Sequence, residues 1–126
     1  MTQGVAAICF IFDGERILLM QAPWAGNQWS VIGGKVEPGE TPDEAVRREV
    51  LEETGLTLID YRPAGQLTRD EGGGHTTLLH LYVSTRQTGD LRGSEEGEPA
   101  WWPLSSLDDL PMIEYVRGLL PRMLAR

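Results

Sequence analysis

Apolar residues along the chain follow two rhythms. Residues 5–12 form a nearly continuous apolar run with β-branched and aromatic members, the pattern of a strand buried on both faces. Asp13-Gly14 marks a turn, and residues 17–20 read as the antiparallel return. Residues 21–28 form a loop carrying Pro23, Trp24, Gly26 and Asn27, and residues 29–32 a short strand. Further on, residues 56–59 and 64–68 are modest strand candidates, residues 76–85 a strong one, and Trp101-Trp102 lies in another short one. Between them, residues 69–74 (RDEGGG) read as a hairpin loop, the alternative being an active-site lid.

Helical spacing appears twice. Thr41 is a good N-cap, Pro42 fits the first helical position, Glu44 completes a T-x-x-E capping box and Gly55 supplies a left-handed stop. Residues 113–124 place Val116, Leu119, Leu120, Met123 and Leu124 at helical intervals, although Gly118 and Pro121 weaken the helix, and residues 104–110 read as a helical turn. Four to six strands with two helices in this order predict an α+β sandwich on a mixed sheet. The length of 126 residues fits one domain, residues 1–126.

Composition narrows the function. No apolar run approaches the ~20 residues of a membrane span, and no basic region precedes a signal-like core, so a cytoplasmic protein without membrane contact is expected. Cys9 is the sole cysteine and sits among Ala7, Ile8, Phe10 and Ile11, the setting of a small buried hydrophobe rather than a nucleophile. A net charge of −8 argues against a nucleic-acid polymer as partner. An anionic small molecule remains possible if divalent cations neutralise both sides locally.

The acidic residues are unevenly placed. At roughly 100° per residue, Glu49, Glu52 and Glu53 share about one-third of the helix circumference with Ala45. Val46 and Val50 continue as the apolar strip, so the acidic face abuts the buried one. Like charges one turn apart repel, and a cation between them relieves the repulsion. Hard oxygen ligands suit Mg²⁺ or Mn²⁺, with substrate phosphates completing the shell. A solvated acidic face is the competing explanation. The preceding loop favours the first: Gly33, Gly34 and Gly39 permit close backbone approach, and Lys35 adds a cation, together a plausible cradle for a diphosphate.

Residues 34–56 resemble the signature of the Nudix hydrolases, G-x5-E-x7-R-E-U-x-E-E-x-G-U with U aliphatic. Gly34, Glu40, Arg48, Glu49, Val50, Glu52, Glu53, Gly55 and Leu56 fill every specified position. The resemblance implies an α/β/α sandwich with a mixed sheet and metal-assisted attack of water on a nucleoside diphosphate derivative. It implies that Glu49, Glu52 and Glu53 ligate Mg²⁺ (or Mn²⁺), with Glu49 or Glu52 orienting or deprotonating the water. Arg48 and Glu40 would hold the ligands in place, and Gly33, Gly34 and Lys35 would meet the substrate.

Outside the signature, the stretch EGEPAWWPL resembles the region of MutT-type members where a further glutamate reaches the metal. Glu96 fits that position, with Glu95 and Glu98 as neighbours one slip away. Glu114 stands near the place where such members meet the purine edge, and a surface glutamate at a helix start is the plainer reading. Two departures stand out: Gln21 and Ala22 occupy a region where many relatives carry arginine, and Ile32 replaces a frequent proline. Trp24 and Trp29 either stack on a base or cap the core, and no role falls to His75 or His80. The expected substrate is a nucleoside triphosphate, with 8-oxo-dGTP or another purine nucleotide in front, cleaved to monophosphate and pyrophosphate. The alternatives are ADP-ribose or dinucleoside polyphosphates, a non-catalytic nucleotide sensor, and an isomerase branch needing a cysteine that Cys9 is badly placed to supply. Monomer and homodimer both stay open.

Overall fold

The computed structural model describes residues 2–124. Its strands are β1 (Thr2–Asp13), β2 (Arg16–Ala22), β3 (Gln28–Ser30), β4 (Ile32–Lys35), β5 (Thr57–Gly72), β6 (His75–Thr88) and β7 (Pro99–Pro103), and its helices α1 (Pro42–Thr54) and α2 (Glu114–Leu124). The strand β1 is the axis. It runs parallel to β6, from Thr2 against His75 to Ile11 against Ser84, and antiparallel to β4 from Ala6 to Cys9. Near Asp13 it pairs with β2, which in turn carries β3 and β7, while β5 closes a hairpin with β6.

Alternation along β1 explains its unbroken apolar run. Ala7, Cys9 and Ile11 face a core with Val46 and Val50 of α1, whereas Ile8, Phe10 and Phe12 face a second core with Val116, Leu119 and Leu120 of α2. A strand covered on both faces cannot spare a polar position. The outcome is the expected α/β/α sandwich on a mixed sheet, with each fully buried large side chain contributing about 1.5–3 kcal/mol.

The helix α1 has the ends its sequence encodes. The Glu44 amide donates to Thr41 Oγ1 at 3.1 Å, the Thr41 amide donates to Glu44 Oε1 at 2.9 Å, and Gly55, at φ 79°, donates to the Leu51 carbonyl at 2.9 Å. In α2, Gly118 and Pro121 do not break the helix, because Val116, Leu119, Leu120 and Met123 bury its inner face.

Three expectations need correction. Seven strands are present among the described residues where four to six were expected. The single strand at residues 29–32 is two: β3 pairs with β2 and β4 with β1, and Val31 is the step between them. The two modest strands after α1 are one long, irregular β5, with register shifts near residues 58–61, 63–66 and 70–72. It lies at the edge of the sheet, where Pro63 costs no ladder bond on the open side. The flexible stretch closes as a hairpin: residues 69–72 finish β5, and Gly73 and Gly74 form a two-residue turn with φ of 60° and 79°.

Candidate active site

The two glycines of β4 serve different close approaches. A Cβ on Gly33 would lie 2.6 Å from Ile8 Cα of β1, so β4 could not pair there with any larger residue. A Cβ on Gly34 would lie 2.6 Å from Glu49 Oε1. The carboxylate of Glu49 therefore rests directly on the strand backbone, and Gly34 is the floor beneath it rather than part of an open phosphate loop.

Arg48 joins that carboxylate to the rest. Its guanidinium donates to Glu40 through Nε at 2.6 Å and Nη2 at 3.0 Å, a bidentate pair. Through Nη1 it also donates to Glu49 Oε1 at 2.9 Å and Glu52 Oε2 at 3.2 Å, and through Nη2 to the Lys35 carbonyl at 3.0 Å. One cation thus ties the loop before α1 to two acids on the helix. The Arg48 pair holds the Glu40 carboxyl well below the usual range, at about 2, and the Glu40 contact raises the guanidinium's own proton affinity.

Glu53 meets this network only through Glu49. It is 7 % exposed, and its Oε2 has no hydrogen-bond partner among the described residues. Burial pushes its pKa up to about 9, helped by a hydrogen bond to Glu49 and by the negative charges of Glu49, Glu96 and Glu52. An acid this buried retains its proton unless a cation replaces it. A small cleft of about 80 Å³ opens over it, lined also by Met20, Gln21, Ala22, Trp24, Ser30, Val31, Gly33 and Glu96.

Of the three glutamates around Gly97, only Glu96 lines this cleft. A tight turn presents it: the Glu96 amide donates to Ser94 Oγ at 3.1 Å, and Ser94 and Gly97 exchange backbone bonds at 3.0 and 3.1 Å. The Glu98 carboxylate instead lies over Gly93. Among the described residues, no three His, Cys, Asp or Glu side chains are gathered as a ready metal-binding group. Arg48 instead pairs with Glu49 and with the 59 % exposed Glu52.

Other expected residues lie elsewhere. Lys35 borders a larger groove with Val36, Glu40 and Pro42, separate from the acidic cleft. Glu114 is exposed in the first turn of α2 and lines neither space. The tryptophans divide: Trp29 packs edge-on against Trp102, with centroids 5.1 Å apart, and caps a core, while Trp24 is 72 % exposed at the cleft. Burial raises the Cys9 thiol pKa strongly, which leaves it inert. Ser30 also lines the cleft, and no motif or spacing pointed to it. It is a buried serine in a three-residue strand, hydrogen-bonded to Tyr115, whose ring lies 4.2 Å from the Arg69 guanidinium.

Comparison with known proteins extends these observations. The family model for the NUDIX domain matches residues 2–123. The chain is 30 % identical over 110 residues to an oxidized purine nucleoside triphosphate hydrolase of Danio rerio, covering 84 % of this chain and 70 % of that protein. It is 32 % identical over 111 residues to the NAD-capped RNA hydrolase NudC of Chromobacterium violaceum, covering 85 % of this chain but 40 % of that protein. The crystal structure of a MutT protein from Bacillus halodurans superposes with a TM-score of 0.86 at 30 % identity, over 98 % of this chain and 83 % of that one.

Proposed function

This chain belongs to the NUDIX domain family, which makes it a hydrolase of nucleotide phosphoanhydrides, and we propose that its substrate is a purine nucleoside triphosphate cleaved to monophosphate and pyrophosphate. An oxidised purine nucleotide such as 8-oxo-dGTP is the leading candidate, supported by similarity to the Danio rerio enzyme. Similarity to NudC favours a second reading, cleavage of a diphosphate that bridges two nucleosides.

In this reading Glu49, Glu52, Glu53 and Glu96 would hold the divalent ion. The observation that carries the assignment is Glu53, a buried acid with one unpartnered oxygen, in the lining of a cleft that Glu96 also lines. The donors are all carboxylate oxygens, which suits Mg²⁺ or Mn²⁺. When bound, such an ion offsets phosphate charge and lowers the pKa of water. Glu49 or Glu52, both aimed by Arg48, would accept the proton of the attacking water on a carboxylate oxygen. Glu40 keeps Arg48 in place by its bidentate contact, and the Trp24 ring offers the base a stacking surface beside the cleft.

The test is product analysis on a panel of 8-oxo-dGTP, dGTP, ADP-ribose and NAD with Mg²⁺, using wild type, Glu53→Gln and Trp24→Ala. Expected are monophosphate and pyrophosphate from the purine triphosphates, and a drop of about 10- to 100-fold or more in E53Q. W24A should raise KM several-fold, on the order expected for one lost stacking contact, with kcat retained. Turnover untouched by E53Q would remove the assigned site, and preferred cleavage of ADP-ribose or NAD would select the second reading.

A further inference from the structure

The loop that brings Glu96 to the cleft leaves β6 at Thr88 and rejoins the sheet at Pro99. Little in its composition would keep it in one place, since Gly89, Gly93 and Gly97 divide it. Its fixed point is Arg92. The Arg92 amide donates to the Thr54 carbonyl at 2.9 Å, and its guanidinium donates through Nη2 to the Leu51 carbonyl at 3.2 Å. Both acceptors are in the last turn of α1, where a cation is favoured by the dipole: the Thr54 carbonyl lies past the last helical amide, and the Leu51 carbonyl takes the guanidinium in addition to the Gly55 amide. Thr54 directly follows Glu53.

The contact is close on both sides. A Cβ on Gly55 would lie 2.6 Å from the Asp90 carbonyl and 2.9 Å from Arg92 Cγ, and a Cβ on Gly89 would lie 2.7 Å from the Gly55 carbonyl. From this anchor the chain needs only Gly93 to reach Ser94, whose turn presents Glu96. We propose that Arg92 is a positioning residue, which clamps the Glu96 loop to the C-terminal turn of α1 and so sets the separation of Glu96 from Glu53. This rests on the site assignment given above. Through Arg92, the acid outside the signature helix is held to the same rigid element as the acids within it.

The experiment measures Mn²⁺ binding to the protein by electron paramagnetic resonance of the free ion, alongside the metal-free unfolding temperature. Wild type is compared with R92A, R92K, E96Q, E53Q and the double variant R92A/E96Q. Expected is about a tenfold weaker Mn²⁺ affinity in R92A, a similar loss in E96Q, and no additional loss in the double variant, as for a group acting through a ligand. R92K, which keeps the charge and one donor, should recover part of the loss and covers the case in which R92A does not fold. Normal Mn²⁺ affinity in R92A beside weakened binding in E96Q overturns the proposal and leaves Arg92 a helix cap that only lowers the unfolding temperature. Normal affinity in both E96Q and E53Q overturns the site assignment itself, and the Arg92 proposal with it.

Discussion

Glu53 should make the metal-free protein less stable than it would be with a neutral amide in its place. Its folded pKa of about 9 lies above the ordinary value of 4.5. A carboxyl that binds its proton more tightly when folded costs nothing below pH 4.5, where both states are protonated. The cost then grows as pH rises and levels off above about 9. At pH 7 the folded chain retains a proton that the unfolded chain has released. At about 1.4 kcal/mol per pH unit above 4.5, the penalty is about 3 kcal/mol. Glu53→Gln removes the penalty while keeping an N–H donor toward Glu49. The expected result in chelator is an unfolding temperature higher by roughly 10 °C at pH 7. The advantage should shrink toward zero near pH 4.5, and it should narrow or reverse when Mn²⁺ is supplied to the wild type. Chelator-treated melts of both proteins from pH 4.5 to 9 decide the matter: a stability difference that stays flat across that range refutes the reasoning.

Two further predictions follow from the same cluster. Gly34→Ala places a methyl group 2.6 Å from Glu49 Oε1, so the carboxylate must shift from its seat beside Arg48, and steady-state kinetics should show a loss of kcat of about tenfold or more; a wild-type kcat would contradict the role given to that floor. The depressed pKa of Glu40 means stability that is present above pH 4.5 and lost as pH falls through about 2. Glu40→Gln should therefore be less stable than wild type at pH 7, with the gap in urea midpoints closing between pH 4.5 and 2, and parallel curves would count against the Arg48 pair.

The helix α1 was legible in full because every instruction for it is local. Thr41, Pro42, Glu44 and Gly55 each act within one turn, and the observed caps use all four. The strand β1 was legible as doubly buried because its apolar run has no gap. The merging of two weak strands into β5 was not, since Pro63 and Gly65 interrupt the alternation and only the partner strand β6 carries the chain through them. The step at Val31 likewise depends on which strand lies on each side, and no local residue pattern encodes that. In the site, helical periodicity grouped Glu49, Glu52 and Glu53, yet it could not separate them. Glu53 is buried because the Ala45, Val46 and Val50 strip continues to it, while Glu52 faces outward to Arg48. Lys35 read as part of a diphosphate cradle and turns to another groove, whereas Glu114 is the surface glutamate that its place at a helix start suggested. Arg92 carries no sequence signal, because its partners lie at the end of a helix about forty residues earlier.

The alternation of β1 also bears on how the molecule comes apart. Because that strand feeds Ala7, Cys9 and Ile11 to one hydrophobic cluster and Ile8, Phe10 and Phe12 to the other, neither cluster can melt while its twin survives. Loss of either half strips the wall from the remaining one, so denaturation is all-or-none. Any breathing that admits substrate is then left to the connections that flank the cleft, around Trp24 on one side and Glu96 on the other, while the framework beneath them stays shut.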